Sequence, residues 1–384
     1  MSLRSKQLSI TGDLRLRIRG GTAPNDAPYP GGGEADQQAT RGRIQMNFQA
    51  TEKVRAKVEF LFAETWAGSE SYSDALGGTA NAPNEQYNKI SMAYVASKDL
   101  LGLGEEIRVG RSDYFLSNGL ILGSCDFLQF PSTVTGVWVG RKLGPVDFEA
   151  FLFDDYGPLQ TADRDGTRFA GATAKWAVCD DGLLTQFGAY VLAGTQDGDA
   201  QVSTAYRDYS NDHWWGVDAK GNLPGDLKWY GEAAQRVDRD DPTLGTAADP
   251  DPTAYRMKVG RKMSDFLQEV AVTRTDSEGS LQLNPGDFNS AGLLHQYAGA
   301  WRSDLDTWQL SATMKPGGGL DVTATVLTLD HDGVSASGTT INRQLGHTEF
   351  DLLVAKTLDT GVHASIGYGI DNQDRQVGFF QLTV

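Results

Sequence analysis

Apolar and polar residues alternate in short runs along most of this chain. In GDLRLRIRG, the even positions are Leu14, Leu16 and Ile18, and the odd positions are Arg15, Arg17 and Arg19. Successive side chains of a β-strand point to opposite faces, so this run predicts a strand with one aliphatic and one cationic face. The same alternation recurs in RGRIQMNFQA (41–50), KVRAKVEFLF (53–62), VDFEAFLF (146–153), TWQLSATM (307–314) and TEFDLLVA (348–355).

The segments between these runs alternate between short and long. The short connectors are 50–53, 142–145, 178–182, 221–226, 262–265, 315–319 and 358–361, and the long ones include 20–38, 67–86, 114–131, 239–252, 278–305 and 331–346. Short turns at one rim and long loops at the other are typical of outer-membrane barrels. We therefore predict an all-β fold, a single transmembrane antiparallel β-barrel over residues 1–384 with about 18 strands. We assign most of 278–305 to a loop, although QYAGAW within it could be part of a strand, and about 16 strands is the alternative count.

Composition alone would fit a soluble acidic protein, with 384 residues, a formal net charge of −16 and 40% hydrophobic residues. A barrel also has low hydropathy, because only every second strand residue faces lipid. A soluble β-sandwich would have to bury the charged faces of the runs, which a packed core does not tolerate without partners. Aromatic residues flank the apolar faces and suit the girdles at membrane interfaces: Trp66, Tyr94, Trp215, Trp229, Trp308 and Tyr368.

The two cysteines, Cys125 and Cys179, do not form a disulfide framework and are expected to be free thiols. The opening MSLRSKQ has a basic start without the apolar stretch of a signal peptide. We therefore expect a signal peptide to be absent from this chain, and we expect the barrel to reside in the outer membrane of a Gram-negative-type bacterium.

Several segments together resemble the alginate-export family of outer-membrane porins. They are GDLRLRIRG, RGRIQMNFQATEKVRAKVEFLFAETWAG, ISMAYVASKDL and EEIRVGRSDYFLSNGLILG near the N-terminus, and LGHTEFDLLVAKTLDTGVHASIGYGIDN and VGFFQLTV near the C-terminus. The resemblance covers roughly residues 8–155 and 345–384. It implies a barrel channel, used for alginate export in some members and for general or substrate-selective passage in others.

Basic residues on the polar faces of the first strands would form one wall of the lumen. The predicted pore-lining and anion-binding residues are Arg15, Arg17, Arg19, Arg41, Arg43, Arg55, Lys57, Lys89 and Arg108, with Arg256 and Lys258 in a second set. Rings of Arg and Lys attract anions, and Arg binds carboxylates in a bidentate manner. The alternative is that these side chains pair with lumen carboxylates and brace the wall: Asp13, Glu59, Asp147, Glu149, Glu349 and Asp351.

Two connectors have unusual compositions. Residues 114–131 contain Leu120, Ile121, Leu122 and Phe127, which predicts a loop folded inward as a constriction, with an ordinary outer loop as the alternative. Residues 238–253 are acidic and could bind surface Ca²⁺, but a solvated loop fits them better because they lack EF-hand spacing. Detergent or lipid is the other possible bound species, and we expect no cofactor and no metal site.

Catalytic motifs are absent from the sequence: there is no GxSxG or HExxH, and the five histidines are scattered. We therefore predict a passive channel, not an enzyme, for anionic or acidic saccharide solutes. A general porin and a plugged barrel with a structural or adhesive surface role are the alternatives. The expected partners are outer-membrane lipid, lipopolysaccharide, small anionic or saccharide solutes and the barrel assembly machinery, and nucleic acid is not among them.

Overall fold

The computed structural model describes residues 7–21, 37–68, 86–124, 133–157, 167–196, 212–237, 252–278, 293, 305–331, 344–372 and 375–384. These residues contain 18 β-strands. In chain order, they are β1 (Gln7–Gly21), β2 (Gln37–Gln49), β3 (Val54–Gly68), β4 (Gln86–Lys98), β5 (Glu105–Ser112), β6 (Thr133–Leu143), β7 (Val146–Gly157), β8 (Thr167–Ala177), β9 (Gln186–Gln196), β10 (His213–Leu223), β11 (Leu227–Val237), β12 (Thr253–Arg261), β13 (Leu267–Glu278), β14 (Leu305–Gly317), β15 (Leu320–His331), β16 (Gln344–Thr357), β17 (His363–Asp371) and β18 (Gln376–Thr383). No helix in the described ranges is long and apolar enough to cross a membrane.

Every strand pairs antiparallel with its neighbours in the sequence, and the last strand pairs with the first. The closing register places Arg15 opposite Thr383 and Gly20 opposite Gly378. Closure leaves no unpaired sheet edge, which is the condition for a sheet in lipid. The predicted closed barrel of 18 strands is confirmed, and the alternative of 16 is wrong.

The connectors divide between the two rims as the sequence predicts. The short-connector rim carries turns such as 50–53, 99–104, 144–145 and 358–362, and the opposite rim carries the long connectors. Strand β13 ends at Glu278 and β14 begins at Leu305, so the assignment of 278–305 to a connector is correct. Within it, the segment QYAGAW (296–301) lies outside the described residues.

Strand lengths vary from 8 to 15 residues. Strands β1 and β3 each have 15 residues, and β5 has 8. Strand β5 is short because the chain leaves the wall after Ser112 and continues into the lumen, where Leu116 is buried.

The two faces of the wall differ in chemistry as predicted. On β1, Leu14 and Ile18 are exposed on the outer face, whereas Arg15 and Arg17 are buried on the inner face. Large apolar side chains continue the exposed outer face around the barrel, including Ile44, Phe62, Val109, Val139, Leu152, Val191, Met257, Val272, Leu310, Val326, Phe350, Ile366 and Phe380. Trp215, Trp308 and Tyr368 are also exposed there, and the side chain of Trp66 is outside the described part.

The girdle assignment of Tyr94 is wrong, because this residue lies on the inner face. Its Cα partners are Lys57 on β3 and Gly110 on β5. Its ring lies 5.4 Å from the guanidinium carbon of the inward-facing Arg108. The extra residue of a β-bulge, Ser91, lies on β4 opposite Glu59 and Phe60 of β3 and changes the alternation of β4 at this level.

An ionic cluster lies on the outer face near the long-connector rim. Arg274 donates to Asp276 at 2.9 Å and to Asp306 at 3.4 Å. Its guanidinium carbon lies 5.6 Å from the ring of Tyr255 and 5.0 Å from the ring of Trp308. Tyr and Trp rings around a neutralised charge suit the headgroup level of a bilayer, where an apolar environment meets water.

Candidate functional site

The inner face of the barrel has two chemically distinct halves. We define the apolar half as the inner faces of β6–β10, with their buried rings Trp138, Phe151, Phe153, Phe169, Tyr190 and Trp214. We define the ionic half as the inner faces of β16–β18 and β1–β4, where the buried charged residues are Arg15, Arg17, Arg41, Glu59, His347, Glu349, Asp351 and Asp371. The lumen site is built from these two halves and from residues 113–124, which we call the inward segment.

The rings of the apolar half form a continuous row of contacts. The Phe151 and Phe153 rings lie 5.6 Å apart, Phe153 and Phe169 5.4 Å, and Phe169 and Trp214 6.0 Å. These separations lie in the range in which aromatic rings attract each other. The row covers the inner wall of β7, β8 and β10 at the level of these rings.

Glycines opposite the rings make this packing possible. A Cβ at Gly171 would lie 2.5 Å from the Phe151 ring, and a Cβ at Gly216 would lie 2.3 Å from the ring of Tyr190. In each pair, the glycine is the direct cross-strand partner of the aromatic residue. The rings therefore lie flat over the neighbouring strand, where any other side chain would displace them.

The inward segment covers this row. Leu116, Leu120, Ile121 and Leu122 are all fully buried and belong to the same apolar cluster as the rings. Within the segment, the Leu116 N–H donates to the Leu122 carbonyl at 2.9 Å and closes a compact turn. Residues 114–124 thus pack against the inner wall, while 125–131 of the predicted constriction lie outside the described residues.

Polar contacts hold the two sides of the inward segment. The Tyr114 hydroxyl donates to Glu149 of β7 at 2.8 Å, and the Ser117 hydroxyl donates to Asp218 of β10 at 2.8 Å. Burial, and then the nearby carboxylate of Glu149, raises the pKa of Tyr114 well above its usual value. The hydroxyl therefore remains a hydrogen-bond donor, and the segment reaches from β7 to β10.

In the ionic half, the three central arginines are covered. Arg15 and Arg41 are direct cross-strand partners, and they are 2% and 1% exposed. Arg17 donates through Nε and Nη2 to the Gln381 side-chain oxygen at 2.9 and 2.8 Å. This contact joins β1 to β18 where the barrel closes. Arg15, Arg17 and Arg41 lie side by side as predicted, but their burial favours the bracing interpretation for these three.

Other predicted basic residues keep access to the lumen. Arg43 pairs with Asp13 at 2.7 Å, Arg55 pairs with Glu106 at 2.6 Å, and both pairs are partly exposed. Lys57 is half-buried on the same face of β3. The side chains of Arg19 and Lys89 are outside the described part, and their inward placement stays a prediction.

Glu59 is a buried acceptor beside this basic wall. Its carboxylate receives hydrogen bonds from the Gln45 amide at 2.6 Å and from the Ser91 hydroxyl at 2.7 Å. Buried carboxylates need such donors, since an unsatisfied charge in a low-dielectric site is costly. Glu59 is therefore part of a hydrogen-bonded network in the wall, with an amide and a hydroxyl as its donors in place of the arginine partner that the bracing alternative predicts.

An acidic group faces the basic wall from β16 and β17. His347 lies 3.5 Å from Glu349 and 3.6 Å from Asp371, and all three side chains are fully buried. Asp371 also accepts from Arg375, and Arg375 Nη2 donates to His347 Nδ1 at 3.0 Å. Asp351 accepts from the backbone N–H of Leu293, which brings one residue of the 279–304 connector into the lumen.

Arg108 lies where the two halves meet. Its guanidinium carbon is 5.4 Å from the ring of Tyr94 and 5.7 Å from the ring of Trp138. A cation over two aromatic faces is favourable and keeps its charge in place. Arg108 is thus inward-facing as predicted, and it is held by rings.

The second predicted basic set lies on β12. Lys258 pairs with Glu269 at 2.8 Å, and Arg256 is half-buried opposite Glu232 of β11. Glu232 accepts from the hydroxyls of Tyr190 at 3.0 Å and Tyr230 at 2.6 Å. Both cations are inward-facing, so this set contributes charge to a different part of the wall from Arg15 and Arg41.

Several lumen residues were not predicted from the sequence, namely Asp212, Ser117, Asp218, His347, Asp371 and Arg375. Arg236 and Asp212 form a buried ion pair at 3.4 Å. The sequence signal for His347 is its place two residues before Glu349 and four before Asp351, on one face of a strand. Among the described residues, no group of His, Cys, Asp or Glu could hold a metal ion. The Ca²⁺ alternative for 238–253 concerns residues largely outside the described part.

By sequence, neither a protein-family model nor a curated protein matches this chain. Solved structures match it over nearly its whole length. A BenF-like porin from Pseudomonas fluorescens Pf-5 has a TM-score of 0.71 and 12% identity, covering 99% of this chain and 98% of that chain. Pseudomonas aeruginosa OccK2 (OpdF) in complex with glucuronate has a TM-score of 0.66 and 12% identity, covering 100% and 99%.

Pseudomonas aeruginosa OpdK with vanillate is a third similar structure, with a TM-score of 0.66, 13% identity and 98% of each chain covered. At these identities, the likeness shows the fold, which is the 18-stranded barrel of porin structures. The likeness is to porins and not to the alginate-export family in particular, so that finer resemblance stays a prediction.

Proposed function

We propose that this chain is an outer-membrane channel for the passive passage of small anionic solutes, acidic saccharides included. The observation that carries the proposal is the chemistry of the two barrel faces. The outer face is apolar around the barrel, and the inner face carries accessible cations at Arg43, Arg55, Lys57 and Lys258. A wall of this kind separates lipid from water.

Selectivity for anions follows from the placement of the charges. Cationic side chains in a narrow lumen raise the local concentration of anions and lower that of cations. The inward segment narrows the lumen from one side, so solutes would pass between it and the ionic half. The glucuronate and vanillate of the similar porin structures support carboxylate solutes as the class to test. The alginate-export resemblance supports uronates within that class.

Planar-bilayer recording tests this proposal. We expect discrete current steps and a reversal potential in a KCl gradient that reports preference for chloride. Arg43→Gln combined with Lys57→Gln should reduce that preference, while Arg274→Gln on the outer face should leave it unchanged. A barrel without current steps would contradict the channel and favour the alternative of a plugged barrel with a surface role. Steps without anion preference would favour a general porin.

Cys179 offers a separate test of the membrane topology. It is an exposed free thiol between β8 and β9, at the short-connector rim. In a Cys125→Ser background, a membrane-impermeant maleimide should leave Cys179 unlabelled in intact cells and label it after the outer membrane is permeabilised. We expect the short connectors in the periplasm, as in other outer-membrane barrels, so labelling of intact cells would contradict this orientation.

A further inference from the structure

A cavity of about 500 Å³ lies at the short-connector rim, below the inward segment. Its lining includes Lys98 of β4, Lys142 of β6 and Lys175 of β8, with Tyr114 and Phe115 of the inward segment. The cavity lies in the region of β4–β8, away from the arginines of β1 and β2. Its volume falls in the range of small-molecule sites, roughly 300–1,000 Å³.

Most carboxylates in the cavity lining already have donors. Glu106 pairs with Arg55 at 2.6 Å, Glu149 accepts from Tyr114 at 2.8 Å, and Asp99 pairs with Lys53 at 2.6 Å. Glu105 accepts backbone N–H groups of its own turn, from Leu101 at 2.6 Å and Leu103 at 3.1 Å. These carboxylates are therefore poor partners for further cations.

The three lysines lack such partners within the described ranges of the chain. Lys142 and Lys175 are the cross-strand neighbours of Asp147, one on each side, but no ion pair within 4.0 Å joins them to it. The cavity lining thus holds three ammonium groups, and Asp147 is the one carboxylate of the lining that has no donor described above. The local excess of positive charge is a condition for holding an anion.

We propose that Lys98, Lys142 and Lys175 form an anion-binding station for small carboxylate solutes at the short-connector mouth of the lumen. This inference rests on the proposed channel function and adds a site on β4–β8, away from the arginines of β1 and β2. The ammonium groups would bind the carboxylate, and the half-exposed Phe115 and the Tyr114 ring would contact the solute body. The station would hold a solute beneath the inward segment.

Equilibrium binding tests the station without relying on current. The detergent-solubilised barrel is titrated with sodium glucuronate and with glucose as the neutral control. We expect the combined Lys142→Gln and Lys175→Gln variant to bind glucuronate about tenfold more weakly, which corresponds to about 1.4 kcal/mol. Lys142→Arg with Lys175→Arg should retain the affinity. Lys228→Gln, a change at the same rim outside the cavity, is the matched control.

Bilayer recording then tests the location of the station. Glucuronate added on the Cys179 side of oriented channels should interrupt the current more often than glucuronate added on the other side, and the double Gln variant should abolish the difference. Equal binding by wild type and the double Gln variant, or interruptions that do not depend on the side, would overturn the station. Normal glucuronate binding without any current would overturn the proposed channel and leave the station standing.

Discussion

The apolar half and the ionic half line the same barrel but are held together by different forces. In the apolar half, rings from β6–β10 and the leucines of the inward segment pack into one apolar cluster. In the ionic half, buried arginines and carboxylates are held by directional hydrogen bonds such as Arg17 to Gln381. We therefore expect the two halves to have different roles: packing narrows the lumen on one side, and charge acts on the solutes from the other.

The two halves should also differ in how much stability one residue contributes. Apolar packing loses contacts on all sides when a ring is removed, and the cavity left behind adds to the loss. Removal of one hydrogen-bond partner costs about 1–3 kcal/mol, mainly because the remaining polar group is left unsatisfied. Substitutions matched across the halves therefore test the comparison directly.

The largest effect is expected for Phe153→Ala in the apolar half. The Phe153 ring is fully buried between Phe151 and Phe169, so its removal should lower the free energy of unfolding by about 3–5 kcal/mol. Urea unfolding in lipid vesicles, followed by tryptophan fluorescence, measures the loss. The control is Leu152→Ala, the next residue, which is exposed on the outer face. Equal losses in both variants would contradict a packed inner wall.

A smaller effect is expected for Arg17→Met in the ionic half. This change removes two hydrogen bonds to Gln381 at the closing seam, and we expect a loss of about 2 kcal/mol. Gln381→Leu and the double variant complete a double-mutant cycle in the same urea assay. A coupling energy of zero would mean that the arginine acts through its other partners and not through the seam.

The contrast between the halves also explains what could be predicted from the sequence. In GDLRLRIRG, a charged inner face lies opposite an apolar outer face. The alternation of charged and apolar residues therefore indicates which side chains face the lumen and which face lipid. The connectors gave the strand count, since turn and loop lengths follow from the up-and-down path of the chain. These signals are local, and they are strongest in the ionic half.

In the apolar half, the same signals are weak. Phe151, Leu152 and Phe153 are all apolar, yet the first and third face inward and the second faces outward. The sequence cannot distinguish these faces, because both environments are apolar there. Likewise, the contact of Ser117 with Asp218 joins residues 101 positions apart and depends on the path of the inward segment. The bulge that turns Tyr94 inward has no clear mark in the sequence.

A further comparison concerns the polar anchors of the inward segment. Tyr114→Phe removes the hydrogen bond to Glu149 and leaves that carboxylate without its donor, while the ring contacts with Phe151 and Trp138 remain. We expect a loss of about 1 kcal/mol in the urea assay and a single-channel conductance close to that of wild type. Phe115→Leu, at the exposed neighbour, is the control. A large rise in conductance would mean that the hydroxyl, and not apolar packing, holds the segment in place.

The smallest effect is expected where charge meets bulk water, at the short-connector rim. Asp99 accepts from Lys53 at 2.6 Å and from the Gly104 N–H at 3.0 Å, and these two bonds lower its pKa below the usual 3.8. A carboxylate whose pKa is lower in the folded than in the unfolded state stabilises the fold at pH values above its unfolded-state pKa. This contribution is lost as the pH falls through the folded-state pKa. Asp99→Asn keeps a residue that tolerates the observed φ of 56° but removes the charge.

The melting temperatures of wild type and Asp99→Asn should therefore differ slightly at pH 7 and converge as the pH falls below 3.8. Added salt should reduce the difference at pH 7, because exposed pairs are screened. The difference in melting temperature between wild type and Arg17→Met should not change with the same salt, because the Arg17 contact is buried. Lys53→Gln should reproduce the pH and salt dependence of Asp99→Asn. A difference in melting temperature that does not depend on pH would mean that Asp99 acts through the turn backbone and not through its charge. If salt changed the effect of Arg17→Met as much as that of Asp99→Asn, water would reach the ionic half as freely as it reaches the rim.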